Sequence, residues 1–193
     1  MRIPLPGSAA AVLLAIVPAL LALIDSPYVG RLAQLVLITI ILASALNLLT
    51  GTAGLLSLDT VVYYGLGAYA AAILSVNLGT GFLTDVLAAM AVTGAIGLLV
   101  GVALVRLTSI FFAVATMGLT ISFHTTVLNW GELTRGPMGY RGIPPVRILG
   151  FELSGWLSSY FVTASLCLVA LFIVHRLMHS FYGNAVRDAM EDE

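Results

Sequence analysis

Residues Asn47–Leu74, NLLTGTAGLLSLDTVVYYGLGAYAAAIL, decide how this chain is read. The stretch is apolar and almost without charge, and glycines and small hydroxyl residues interrupt it. Apart from its tyrosines, Asp59 is its only ionisable group. Helices in lipid place small residues where backbones approach closely, or where the chain breaks to line a path. An inert anchor needs neither feature. The stretch therefore reads as the working part of a transport-type membrane protein.

Composition agrees. Hydrophobic residues make up 60% of the 193 and charged residues 9%, with a mean hydropathy of +1.08. A water-soluble domain is about one-quarter charged, so this chain could not cover its surface with polar groups. The expected fold class is all-α: a polytopic α-helical membrane protein with about six transmembrane helices and a short cytoplasmic amphipathic C-terminal helix. A net charge of −1 leaves no nucleic-acid footprint. The chain has no lysine, so a phosphate-binding GxxxxGK[ST] loop is excluded and it is not its own ATPase. No cofactor is expected. Cys167 stands alone in an apolar run as a buried, inert thiol, and His124, His175 and His179 form no metal-ligand spacing with carboxylates.

Hydropathy places spans at approximately 5–24, 32–49, 61–78, 86–105, 110–128 and 157–174, each near the roughly 20 residues that cross a bilayer core. Residues 1–179 are thus the transmembrane domain, and 180–193 begin a cytoplasmic segment. The first span is read as a retained helix: no small-residue cleavage signature ends it, and Asp25-Ser26-Pro27 reads as a turn. Arginines immediately at helix ends, Arg106 and Arg176, place both termini inside. Residues 129–155 then form a long outer loop, with Trp130, Tyr140 and Trp156 as an interfacial aromatic belt.

Within the membrane, two readings stand at several positions. Gly51 and Gly54 mark either a plain turn or a broken, re-entrant segment at membrane depth. Gly94, Gly97 and Gly101 form a stripe at helical spacing, for close packing within the chain or against another subunit. Asp59 is either the N-cap of the third span at the membrane edge or part of a polar path. A carboxylate at the bilayer centre costs on the order of 2.5–3.5 kcal/mol on insertion scales, so it must lie at the membrane edge, face a wet cavity, or be paired or protonated. Asn47, Ser44 and Ser57 are candidate polar liners on the same grounds, and Tyr64 and Gly65 complete the candidate path. Gly65-Leu66-Gly67-Ala68-Tyr69-Ala70 fits a dinucleotide-binding fingerprint, but that motif requires a βαβ unit and this one sits in an apolar span. At the C-terminus, Ala185, Val186, Ala189 and Met190 share one helical face after Asn184, a fair N-cap, and suit a shallow groove on a partner.

Four stretches in register carry a family resemblance. Asn47–Ala72 resembles the N-L-x-x-G-x-x-G-x-x-S signature, with its following G-x-G-A-Y, of permeases in branched-chain amino acid ABC importers. Arg106-Leu107-Thr108 with Phe111–Gly118, then Asn129–Pro144, and then Ser180–Glu193 resemble the family's later motifs in the same order. The long outer loop resembles the LivM-type subunit more than the LivH-type. The resemblance implies a passage worked by alternating access in the bacterial cytoplasmic (inner) membrane. It further implies a second permease subunit, two cytoplasmic ATPase subunits and a periplasmic substrate-binding protein as partners, besides the lipid bilayer. Gly183, Asn184, Val186, Arg187, Ala189, Met190 and Glu191 would then contact an ATPase.

With so few charges in the spans, selectivity is expected to lie mainly in the delivering protein. Two features depart from the pattern. Asp59-Thr60 stands where the family carries glycine and histidine, and such permeases run on beyond the position of Glu193. A truncated, non-transporting subunit and an ATP-independent transporter or channel are the alternatives.

Overall fold

The computed structural model describes residues 27–148, 151–153 and 155–178. The first expected span, 5–24, and the C-terminal segment 180–193 lie outside these residues. Among the described residues five helices are long and apolar enough to cross a membrane: α1 (Pro27–Ala53), α2 (Thr60–Leu78), α3 (Phe82–Leu104), α4 (Ser109–Asn129) and α6 (Trp156–Met178). The all-α class holds with one addition. The connection from α4 to α6 contains a short helix, α5 (Gly131–Thr134), a 3-10 turn (Gly136–Met138) and an antiparallel hairpin. Its strands, β1 (Val146–Ile148) and β2 (Phe151–Leu153), set Arg147 opposite Glu152.

Few apolar side chains are buried within the chain. Leu98, Leu99, Val102, Ile110 and Phe111 are all more than 60% exposed. In water that surface would drive aggregation, whereas in lipid it is the solvated face. Association between such helices comes from packing and hydrogen bonds rather than from water exclusion. The best-packed pair is α1 with α6, where Leu37, Tyr160, Ala164 and Cys167 form a buried cluster flanked by Ala33, Ile41 and Leu171. Cys167 is fully buried and donates its S–H to the Leu37 carbonyl at 3.8 Å. Gln34 Nε2 reaches the Trp156 carbonyl at 3.3 Å and ties the N-terminal ends of the same pair.

The second pair is α2 with α3, joined by the turn Gly79–Gly81, and α4 lies against α2. Gly65 makes that contact possible. A Cβ there would stand 2.6 Å from the Phe123 ring, so the two helices are seated at glycine distance. Hydroxyls inside the helices mostly bond back to their own turn, such as Thr39 to Leu35 O at 2.8 Å, which satisfies them in lipid. Ser44 does the same with Ile40 O at 2.7 Å; its hydroxyl is taken up by its own helix.

Candidate functional site: a chain break facing a cavity

The helix α1 ends at Ala53, and Gly54 follows with φ 59°, the left-handed conformation that stops a helix at little cost for glycine. Gly54–Asp59 then runs without helical or strand hydrogen bonding until α2 starts at Thr60. In lipid the peptide groups of such a segment must find partners elsewhere. For Leu58, two threonines of α4 supply them. Thr116 Oγ1 accepts from the Leu58 N–H at 3.2 Å, and Thr120 Oγ1 donates to the Leu58 carbonyl at 2.9 Å. Thr116 is fully buried. At about 1.5 Å per residue, Thr116 and Thr120 lie roughly 10 and 16 Å from the start of α4, a helix about 30 Å long. Leu58 therefore sits at membrane depth. Of the two sequence readings of the Gly51–Gly54 region, the geometry matches the broken segment and not the plain turn.

The break faces a cavity of about 640 Å³ between α2, α3 and the start of α4. Ser57, Asp59, Tyr63 and Thr93 give it polar points on an otherwise apolar wall. Asp59 is 4% exposed. It stands at the N-cap position of α2, but its side chain makes no capping bond. Its carboxylate instead accepts from the Ser57 hydroxyl and, at 3.0 Å, from Tyr63 Oη. The capping reading of its side chain is thereby corrected: the hydroxyls of Ser57 and Tyr63 reach the carboxylate first, and the Asp59 carbonyl accepts the Val62 N–H at 2.8 Å. Of the glycine stripe, one member packs within the chain. Gly97 lies against the Tyr63 ring, with 3.4 Å from a built Cβ to Cε1, but Gly94 and Gly101 have nothing within 4 Å and border the cavity.

Of the path residues expected from sequence, Ser57 and Asp59 line this cavity, whereas Asn47, Tyr64 and Gly65 do not. Asn47 is exposed on α1, with its Oδ1 beside Gly51. Tyr64 is 46% exposed. Gly65 is spent on the α2–α4 contact. Their neighbours Tyr63 and Gly67 take the lining positions. Successive helix residues turn by about 100°, so neighbours such as Tyr63 and Tyr64 present different faces. Thr116 and Thr120 were not singled out from the sequence. The available signal was two hydroxyls four residues apart on an apolar helix. The coupling residues Gly183, Asn184, Val186, Arg187, Ala189, Met190 and Glu191 lie outside the described residues.

A second lining group was also missed. Asp85, in the first turn of α3, is 7% exposed and accepts a short hydrogen bond from the Thr80 hydroxyl. It lines a separate cavity of about 340 Å³ at the opposite end of α3 from Gly101, beneath the hairpin strand that carries Arg147.

Residues 28–193 match the family of branched-chain amino acid transport system permease components. The chain belongs to this family. It is 32% identical to the high-affinity branched-chain amino acid transport system permease protein LivM of Salmonella typhimurium, over 84% of this chain and 44% of that protein. The LivM protein of Escherichia coli stands at the same identity and coverage. This permease chain thus spans less than half the length of either relative. No solved structure matches it. Family and helices together make it a multi-pass membrane protein and a transport component.

Proposed function

We propose that this chain is a transmembrane subunit of an ATP-driven importer for branched-chain or similar small amino acids, and that the cavity beside the chain break is a wall of its passage. The observation that carries the reading is Gly54–Asp59, a non-helical segment at membrane depth whose Leu58 peptide groups are held by Thr116 and Thr120. Irregular backbone survives at that depth only where protein buries it or a cavity adjoins it. Here a cavity of about 640 Å³ adjoins it, lined mainly by small and apolar residues.

In this reading the bundle end bearing Arg106 and Arg176 faces the cytoplasm of a bacterial inner membrane, and the hairpin end faces the periplasm. A second permease subunit closes the passage. Two ATPase subunits drive alternating access, Gly183–Glu193 docks on one of them, and a periplasmic binding protein delivers the substrate. Asp59, held by Ser57 and Tyr63, fixes the start of α2 and places its charge beside the positive end of that helix.

The test is ATP-dependent leucine uptake in proteoliposomes holding the assembled complex. Gly97→Leu puts an isobutyl group into the cavity against Tyr63. Uptake is expected to fall by about tenfold or more while the complex keeps its stoichiometry. Wild-type uptake by an intact Gly97→Leu complex would show that the passage runs elsewhere. For the docking claim, Val186→Asp with Met190→Asp should release the ATPase on co-purification.

A further inference from the structure

The passage reading leaves the cavity under the hairpin unused, although it holds what the central cavity lacks: an acid and a base in one lining. Three elements build it. Ala68, Ala71, Ala72 and Ser75 follow one face of α2 at three- and four-residue steps; Asp85 and Val86 come from α3; and Pro144 to Arg147 come from the lead into β1 and its first residues. The hairpin is seated closely, since a Cβ on Gly81 would stand 3.9 Å from the Arg147 carbonyl.

Asp85 is fixed by Thr80 through one carboxylate oxygen, and its backbone N–H is held by Gly81 O at 3.1 Å. An ionised carboxyl offers about four acceptor positions, so acceptor capacity remains for a cation. Arg147 is exposed at the cavity and faces Glu152 in the hairpin register. A guanidinium presents its donors in a planar fork that matches a carboxylate. Apart from Ser75, Thr80 and Gly79, the rest of the lining is apolar: alanine, valine, proline, isoleucine and Phe82.

We propose that this outer cavity is a binding site for a zwitterionic α-amino acid with an aliphatic side chain: Asp85 takes the ammonium, Arg147 the carboxylate, and the α2 face with Val86 and Ile143 takes the side chain. The volume of about 340 Å³ is at the small end of ligand cavities, as a free amino acid requires. The site lies at the end of the bundle where the chain would receive substrate, and it gives the chain a share in selection that the central cavity does not offer. The choice of leucine as ligand rests on the importer reading above. A phosphatidylethanolamine headgroup carries the same pair of charges, so the experiment separates the two sources.

The chain in phosphatidylcholine nanodiscs is titrated with three probes by saturation-transfer NMR: L-leucine, 4-methylpentanoate without the ammonium, and 3-methylbutylamine without the carboxylate. Asp85→Asn is expected to weaken L-leucine by about tenfold and to leave 4-methylpentanoate within about twofold. Arg147→Gln, at an exposed position, is expected to weaken L-leucine and 4-methylpentanoate by about tenfold and to spare 3-methylbutylamine. Equal L-leucine binding by wild type and both variants overturns the site, as does no binding by wild type. Loss of L-leucine binding when phosphatidylethanolamine replaces part of the lipid assigns the site to the headgroup and also overturns it. The importer reading is judged separately by uptake in the assembled complex. Uptake unchanged in Asp85→Asn and Arg147→Gln removes this site and leaves the importer standing, whereas no uptake by the wild-type complex removes the importer.

Discussion

Replacing Thr116 with valine keeps the side chain's shape and deletes the hydroxyl that accepts the Leu58 N–H at 3.2 Å and donates to Ala113 O at 3.0 Å. Thr116 is fully buried, so water cannot replace the lost acceptor. An orphaned buried donor costs about 1–3 kcal/mol. Polar contacts between membrane helices average nearer 0.6 kcal/mol, because the chain unfolded in the membrane also finds partners. Leu58 lies in a non-helical segment with no turn of its own to fall back on, so the cost should fall at about 1–2 kcal/mol.

Thr120→Val should cost less. Thr120 is only partly buried, its hydroxyl is shared between Leu58 O at 2.9 Å and Thr116 O at 3.0 Å, and a carbonyl has a second lone pair. Thr39→Val, which loses only a bond to its own helix, is the control. The assay is unfolding free energy in mixed micelles, combined with labelling of a Leu58→Cys probe by a membrane-impermeant thiol reagent. The native Cys167 is fully buried and should stay silent in the folded protein. Labelling at position 58 should rise in Thr116→Val as the segment detaches, and Thr116→Ser should restore the wild-type behaviour. If Thr116→Val matches Thr39→Val in stability and position 58 labels no faster, then Thr116 does not hold the break and the argument for a re-entrant segment fails.

Other outcomes follow from the same geometry. Gly65→Ala drives a methyl group to 2.6 Å from the Phe123 ring and should cost about 1–3 kcal/mol by overpacking, with Phe123→Leu restoring part of it in the double variant. Tyr63→Phe removes one of the two hydroxyls on the buried Asp59 carboxylate and should destabilise the start of α2 by about 1–3 kcal/mol, read as faster amide exchange at Val62 and Tyr63. Cys167→Leu overfills the fully buried α1–α6 seam beside Leu37 and Tyr160 and should lower stability by about 1–3 kcal/mol, whereas Cys167→Ala should be milder. A Gly97→Ala variant needs only a few tenths of an ångström from the Tyr63 ring, so its assembly should be unchanged. That would leave the larger Gly97→Leu effect on uptake to cavity filling.

Composition alone set the class of this molecule: with 9% charged residues it has no water-facing surface to fold behind. The signature from Asn47 onward carried the family, because Asn47, the glycines at 51 and 54, Ser57 and the later Gly65–Tyr69 run keep their spacing in the primary structure. The N–H and C=O of Leu58 needed partners from somewhere, and Gly54 marked where the helix would stop. Which residues would answer was legible only in three dimensions. Thr116 and Thr120 lie some 60 positions further on, and Asp85 and Arg147 line one cavity only because the hairpin folds back onto the α2–α3 turn.

The phase of the helices was hidden for a related reason. In a soluble protein, water on one side and core on the other imprint a polar and an apolar face. Lipid is as apolar as the protein interior, so α2 shows no such contrast, and nothing local distinguished Tyr63 from Tyr64 or Gly67 from Gly65. The contact of Gly65 with Phe123 fixes the rotation of α2, and that contact exists only once α4 has packed.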